Sequence, residues 1–319
     1  MSVDDNSSQT AQPSLTLPRR GEASRAASLP AEVVGRREKA KRGVWQAAWP
    51  LPSRQIGRWA LNAAAALSLG FVLMPLILVT WLAFFAQEIP SFPPEGYSLE
   101  WFGAILSNQS FVSGFVVSLQ VGIAATLIGL ALGIPASLTL ARRRFPGHAA
   151  LNQLLLLPLV VPGVVLGTSL YVFHIETEIA TGLPVLGSIG GLIAGHALIV
   201  IPWTVRLVTA SLAGFDRAIE EAALNLGAHP WTTFWRVTLP VIRPAIVAAA
   251  LFGFAMSFGN LEMSLFLVGP GRTTLPIAIL QYLEWKIDPT VAAVSVVQIL
   301  LIGAAMMATD RYVKLARVV

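Results

Sequence analysis

Long apolar segments separated by short polar connections dominate the chain from residue 56 onward. Six of these segments have about 20 or more residues, the length that an α-helix needs to cross about 30 Å of hydrocarbon. The pattern therefore predicts an all-α, polytopic membrane protein with six transmembrane helices. The predicted spans are 59–85, 112–140, 151–173, 189–212, 245–268 and 291–309.

Residues 1–55 differ from the rest because they are rich in Ser, Ala, Pro and Arg and contain no apolar run. A cleavable signal needs an apolar core soon after its basic residues, and none follows Arg20 or Arg42 closely. We therefore expect 1–55 to be a disordered, basic cytoplasmic tail and 56–319 to be the membrane domain. The tail is expected to help orient the first helix, and a regulatory or partner-binding role is the alternative.

Basic residues are concentrated in alternate connections. If the N-terminus is cytoplasmic, 20 of the 22 Lys and Arg residues lie on the cytoplasmic side, as the positive-inside rule requires. Both termini are therefore predicted to be cytoplasmic. The outer connections 87–111, 174–188 and 269–290 contain seven acidic residues but only Arg272 and Lys286. The net charge of +5 thus reflects membrane topology, and no nucleic-acid partner is expected.

Composition and motifs argue against several kinds of chemistry. Only 12% of the residues are charged, about half the share of a soluble domain, and the absence of cysteine excludes disulfides and thiolate metal sites. Neither His-Glu-x-x-His nor Gly-x-Ser-x-Gly occurs, so no catalytic residue and no intramembrane enzyme is predicted. His174, Glu176 and Glu178 are expected in a solvated outer loop rather than at a metal site, so no metal is predicted.

Helix-breaking residues are concentrated in the third span. Pro158 and Pro162 are four residues apart and therefore share one face of the helix. With Gly163 and Gly167 they predict an irregular helix near the middle of the membrane, because proline removes a backbone donor. The irregularity is either a packing kink or a hinge that lines the pathway of a solute.

One cytoplasmic connection, 214–243, is far longer than the others between spans. Its first half predicts an amphipathic helix that Asp216 caps, with Glu220 and Glu221 in the first turn, where the helix dipole favours acidic groups. Gly227 is expected to end this helix in a left-handed conformation.

The second half of the same connection predicts another short helix. Pro230 is well placed to start it, and Pro240 is expected to stop it. The connection is therefore predicted to form two short helices that lie on the cytoplasmic face.

The spacing of residues in this connection resembles the EAA loop of permeases of ABC importers. That pattern is Glu-Ala-Ala, three residues, Gly, nine residues, an aliphatic residue, any residue, and Leu-Pro. Val237 stands where isoleucine is usual. An amphipathic helix resting on the membrane surface is the alternative, but it would not require this spacing. The matching positions are Glu221, Ala222, Ala223, Gly227, Leu239 and Pro240.

The resemblance implies the six-helix fold of type I ABC importer permeases in a bacterial inner membrane. It implies three kinds of partner: a dimer of a separate ATPase subunit that receives the first loop helix, a second permease of identical or different sequence, and an extracytoplasmic solute-binding protein. ATP and magnesium would bind the ATPase, because the glycine cluster 269–274 lacks the Walker A spacing. No cofactor is therefore expected in this chain. A secondary transporter without an ATPase is the alternative class.

Segments 98–102, 144–147, 157–162 and 269–276 resemble the second permease of spermidine/putrescine-type importers. The expected solute is polyamine-like or another amino compound, and thiamine, ferric iron, a phosphonate or an opine-like solute are the alternatives.

The candidate residues of the solute pathway are Asn260, Glu262, Pro158 and Pro162. Relatives that carry polyamines often have an acidic residue at the place of Gly259, and Glu262 can substitute for it. Alternatively, Glu262 lies solvated at the outer interface. His196 is expected to be a hydrogen-bonded packing residue.

Overall fold

A computed structural model describes residues 54–313, and the expected tail therefore lies almost wholly outside the described residues. The chain divides into two units, 1–72 and 73–319. The helices, in chain order, are α1 (Arg54–Leu82), α2 (Glu100–Ser107), α3 (Gln109–Arg142), α4 (His148–Leu156), α5 (Gly163–Thr181), α6 (Ile189–Ala213), α7 (Ala218–Asn225), α8 (Pro230–Thr233), α9 (Leu239–Phe258), α10 (Glu262–Leu267), α11 (Leu275–Leu283) and α12 (Thr290–Val313).

The predicted all-α class is confirmed for the residues that the structure describes. Five helices are long and apolar enough to cross a membrane, and the number agrees with the predicted six when a bent pair of helices is counted as one span. The bent pair, His148–Leu159 with Gly163–Thr181, changes direction by 103°. The other five spans are Gly57–Leu82, Gln109–Arg142, Ile189–Ala213, Pro230–Phe258 and Thr290–Arg311.

The second, fourth and fifth spans pack closely because glycines face a buried valine. Val200 of α6 is fully buried between α3 and α9. A Cβ atom at Gly129 of α3 or at Gly253 of α9 would overlap with its side chain. Small residues bring helix backbones together in this way in membranes, where lipid tails are as apolar as the side chains.

The third span is interrupted where its prolines and glycine predict an irregular helix. A 3-10 turn, Leu157–Leu159, follows α4, and Pro162 then occupies the N-cap of α5. Proline cannot donate a backbone hydrogen bond, so the regular ladder stops here and the chain turns. The break places the start of α5, at Gly163, inside the bundle.

The fifth span differs from its prediction at its N-terminal end. Pro240 was expected to stop a short helix, and that prediction is wrong. Helix α8 continues through a π turn, Phe234–Thr238, directly into α9. Pro240 lies at the first positions of α9, where a missing N–H group is tolerated. The second half of the connection 214–243 and the fifth span therefore form one continuous helix.

The fifth span also ends earlier than predicted. The expected uninterrupted span 245–268 stops at Phe258, and α10 begins after a short break. Asn260 Oδ1 accepts a hydrogen bond from the backbone N–H of Met263 at 2.8 Å. Asparagine favours helix caps because its side chain competes for backbone donors, so it helps to start α10 after the break.

The outer connection 269–290 contains a helix that the sequence pattern did not predict. Leu275 and Ile277 of α11 are buried. The backbone N–H of Leu275 donates to Ser118 Oγ at 2.8 Å. Ser118 lies nine residues after the start of α3, about 14 Å along its axis. The expected polar loop therefore folds back against the second span.

Candidate functional site

The loop 214–243 has the helix and the turn that its sequence predicts. Helix α7 covers Ala218–Asn225, and Asp216 Oδ1 accepts from the backbone N–H of Ala218 at 3.0 Å. Gly227 has a φ of 86°, the left-handed conformation expected at the end of this helix. The space around Gly227 is open, so backbone conformation alone requires glycine there.

The adjacent residues Glu220 and Glu221 point in different directions. Glu220 Oε1 accepts hydrogen bonds from Arg142 Nη2 and Thr238 Oγ1, and its side chain is only 14% exposed. Glu221 is exposed. The sequence predicts that Glu220, like Glu221, belongs to the set of ATPase-coupling residues of the loop. The contacts of Glu220, however, lie within the chain. The outward face of α7 carries Ile219, Glu221, Ala222, Leu224 and Leu226.

The rest of the loop motif connects α7 to the fifth span. Ala223 is half-buried, and the Ala223 carbonyl accepts from the Ala228 N–H at 3.1 Å. Leu239 packs against the buried cluster that contains Val208 and Ile242. Pro240 is exposed. These residues therefore set the direction of the loop relative to the spans.

An exposed aromatic cluster beside α7 escaped the sequence-based prediction. Trp231 is 64% exposed and Trp235 is 51% exposed. The Trp231 ring lies 5.9 Å from that of Phe234 and 5.6 Å from that of Trp235. Exposed tryptophans are enriched where proteins bind partners. The signal in the sequence is the spacing of the two tryptophans, which places both on one face of a helix.

The breaks of the third and fifth spans meet each other. A Cβ atom at Gly163 would overlap with the Glu262 carboxylate, and one at Gly167 would overlap with the Phe266 ring. Gly163 and Gly167 are four residues apart in α5, and their contact partners Glu262 and Phe266 are four residues apart in α10. The two helices therefore run parallel and start at the same level. Of the other predicted pathway residues, Pro162 and Asn260 flank this contact, and Pro158 lies in the 3-10 turn on the far side of the break.

Two distances along helices give the depth of Glu262. His174 lies against Gly191 at the outer end of α6, and Gly163 precedes it by eleven residues of α5, about 16 Å. Leu267 lies against Gly195, which is six residues from the start of α6. Glu262 precedes Leu267 by five residues of α10 and lies further from that end. The two helical segments together again correspond to about 16 Å. This distance along the helices, from the start of α6 to Glu262, is comparable to half of a hydrocarbon layer, about 15 Å.

The Glu262 carboxylate lies at the N-terminal end of α5. The carboxylate lies against Gly163, the first residue of α5. The positive end of a helix dipole favours an acidic group there. The Glu262 side chain is also exposed within the single chain.

His196 holds the two halves of the fifth span together. Its Nδ1 atom lies 2.8 Å from Ser257 Oγ, before the break, and its Nε2 atom lies 3.2 Å from Ser264 Oγ, after it. The imidazole is buried. The prediction of a hydrogen-bonded packing residue is confirmed, and the break is thereby held in one geometry.

The predicted outer loop at His174 is wrong. Helix α5 continues to Thr181 and includes His174, Glu176 and Glu178. His174 is buried against α6. Within the part of the chain that the structure describes, no group of three His, Asp or Glu side chains is arranged to hold a metal ion.

The structure thus combines apolar spans, two of them broken, with a two-helix loop between the fourth and fifth spans. Residues 129–316 match the family described as binding-protein-dependent transport system inner membrane component. The chain therefore belongs to this family and is a multi-pass inner-membrane permease subunit of an ABC importer.

Two curated relatives match most of the chain. The putrescine transport system permease protein PotI of Escherichia coli (strain K12) is 30% identical over 241 residues, covering 75% of this chain and 84% of that protein. The molybdenum transport system permease protein ModB of Mycobacterium tuberculosis (strain ATCC 25618 / H37Rv) is 31% identical over 271 residues, covering 80% and 93%.

One solved structure shows the same fold at low sequence identity. It is the crystal structure of a bacterial alginate ABC transporter in complex with an alginate pentasaccharide-bound periplasmic protein. The TM-score is 0.63 at 16% identity, and the match covers 81% of this chain and 95% of that one.

Proposed function

We propose that this permease subunit imports a small organic cation of the polyamine class, with putrescine as the first candidate. The observation that carries the proposal is the Glu262 carboxylate, which is exposed on the single chain at mid-depth of the spans. The similarity to a putrescine permease supports the same solute class.

A carboxylate at this depth needs a polar environment. Placing an acidic side chain at the centre of a bilayer costs about 2.5 kcal/mol or more, so such residues face a cavity or another protein chain. A second permease subunit packed on this face would enclose Glu262 between the two chains. The carboxylate would then contact the ammonium group of a passing polyamine.

The direction and the energy of transport come from partner subunits. The face of α7 that carries Glu221 and Leu226 docks in a cleft of a separate ATPase subunit, which binds ATP and magnesium and performs the hydrolysis. Two ATPase subunits serve two permease subunits, and an extracytoplasmic binding protein delivers the solute. The placement of 20 of the 22 Lys and Arg residues supports cytoplasmic termini and a cytoplasmic loop.

Putrescine uptake into liposomes that contain the complete transporter tests the solute assignment. Glu262→Gln removes the charge and keeps the shape, and we expect uptake to fall about tenfold or more because a charge-assisted hydrogen bond is lost. Glu176→Gln is the matched control, since Glu176 is exposed near the outer end of the same helix that contacts Glu262. Equal uptake by the Glu262→Gln and Glu176→Gln variants would refute the role of Glu262.

A second experiment tests the docking of the loop. Gly227→Pro cannot adopt the left-handed conformation of Gly227, so it should abolish uptake while the spans remain inserted. Uptake that survives this substitution would show that α7 is not the docking element.

A further inference from the structure

Three side chains from three separate elements meet at the cytoplasmic end of the bundle. Arg142 is the last residue of α3, Glu220 lies in the first turn of α7, and Thr238 ends the π turn before α9. Glu220 Oε1 accepts from both Arg142 Nη2 and Thr238 Oγ1, and Arg142 Nη2 donates to Thr238 Oγ1 at 3.1 Å. We call these three side chains the latch.

The latch is the principal side-chain attachment of α7. Helix α7 has eight residues and buries none of them, and an isolated helix of this length is not stable in water. The ion pair between Arg142 and Glu220 is the only salt bridge among residues 57–311, whose side chains the structure describes. A second polar contact reinforces it, because Arg217 Nη2 donates to the carbonyl oxygen of Ala141. Polar contacts therefore fix the position of α7 against the second span.

The latch is rigid because its three side chains are shielded from water and contact one another. Thr238 is fully buried, and the Arg142 and Glu220 side chains are 31% and 14% exposed. Each of the three side chains contacts the other two, so removing one leaves a shielded polar group without its partner. Such closed networks fix one geometry more strongly than a single exposed ion pair does.

We propose that the latch makes α7 and the cytoplasmic ends of the second and fifth spans move as one body. Glu220 is then a positioning residue that transmits movement, whereas Glu221 on the outward face contacts the ATPase. The inference rests on the proposed docking of α7. Without the latch, α7 would still follow the ATPase, but its displacement would not reach both spans.

Distances between spin labels test this inference without reference to the solute. The chain has no cysteine, so Arg143→Cys and Asn225→Cys place labels on exposed positions after α3 and at the end of α7. In the complete transporter we expect one narrow distance distribution that is the same without nucleotide and with ATP. Glu220→Gln should broaden the distribution and make it depend on ATP. Two results would overturn the proposal. One is a distance distribution that shifts with ATP in the labelled protein with Glu220 intact, and the other is a distribution that Glu220→Gln leaves unaltered.

A charge exchange separates transmission from folding. Arg142→Glu and Glu220→Arg should each lower putrescine transported per ATP hydrolysed by about five- to tenfold, in the range of measured couplings between sites. The double variant restores an ion pair and should recover most of the loss and the narrow distance distribution. Two single variants as active as the original protein, or a double variant no better than either single one, would contradict the latch.

Glu221→Arg is the matched control on the neighbouring position. It should reduce the amount of ATPase that copurifies with the permease and leave the spin-label distance unchanged. Full retention of the ATPase in this variant would count against the proposed docking. Unchanged distances in the Glu220→Gln variant would instead count against the latch, so the two failures are distinguishable.

Discussion

The loop 214–243 and the break in the fifth span differ in how far apart in the sequence their contacting residues lie. In the loop, Asp216 and Gly227 shape α7 through contacts with their immediate neighbours. At the break, Glu262 lies against Gly163, and His196 joins Ser257 to Ser264 across separations of 61 and 68 residues. The break therefore exists only when the spans pack, whereas α7 and its turn are defined locally. Substitutions at the break should damage packing and transport together, and those in the loop should damage coupling alone.

The largest effect is expected for Gly167→Val. The added side chain would overlap with the Phe266 ring and approach the Glu262 carbonyl oxygen, which separates α5 from α10. We expect the purified complex to lose about 1–3 kcal/mol of stability, as in other overpacked cores, together with most of its uptake. Thermal unfolding and uptake measure the two losses. Gly190→Val is the control, because Gly190 is exposed at the start of α6 and an added Cβ atom would meet only Ser188 Oγ, at 3.9 Å. Equal losses in the two variants would show that the α5–α10 contact is unimportant.

The next largest effect is expected for Gly227→Ala in the loop. A left-handed residue with a Cβ atom costs about 1–2 kcal/mol, so the ATPase should bind about five- to thirtyfold more weakly. The stability of the spans should not change. Gly214→Ala is the comparison, since Gly214 is also exposed in the loop but has a φ of −88°. If Gly214→Ala weakened ATPase binding as much, the left-handed turn would not be the cause.

A smaller effect is expected for the cap of α10. Asn260→Ala removes the acceptor for the Met263 N–H group. We expect it to lower the stability of the protein by about 1 kcal/mol and to decrease uptake a fewfold. Asn260→Asp keeps an acceptor at the same place and should retain the cap. Uptake assays on both variants decide whether the cap or the amide itself is needed. A loss in Asn260→Asp as large as in Asn260→Ala would exclude capping as the role of Asn260.

The smallest effect is expected for Val237→Ile, which introduces the residue usual at this position in EAA loops. Val237 is half-buried in the π turn, and one added methylene group can be accommodated at a partly open site. We expect uptake and ATP hydrolysis to stay within about twofold of the original values, corresponding to about 0.5 kcal/mol. A larger change would mean that the π turn tolerates no change in volume.

Features that depend on neighbours in sequence were predicted well. The six apolar spans follow from hydrophobic length, and the left-handed turn at Gly227 follows from the end of an amphipathic pattern. The interruption of the third span follows from Pro158 and Pro162, which lie four residues apart and each remove a backbone donor. Single prolines, such as Pro135 and Pro202, leave their helices continuous. In each case the physical cause lies within a few residues of its effect.

Features that depend on distant partners were missed. Nothing near Glu220 in the sequence indicates that Arg142 and Thr238 approach it. Helix α11 was predicted as loop because its stability comes from burial of Leu275 and from the Ser118 hydroxyl group of another helix. Pro240 was misread because the π turn before it, which the pattern of residues does not reveal, continues the helix.

The continuity of the helix from Pro230 to Phe258 gives the transporter a long lever. Its 29 residues extend about 43 Å, with the exposed tryptophans at one end and the break beside Asn260 at the other. A tilt of about 5° at the cytoplasmic end displaces the far end by about 4 Å on this length. A movement of a few ångströms is comparable to the width of a methylene chain. Small rotations of the bound ATPase subunits would therefore suffice to open or close a passage for a narrow, unbranched solute.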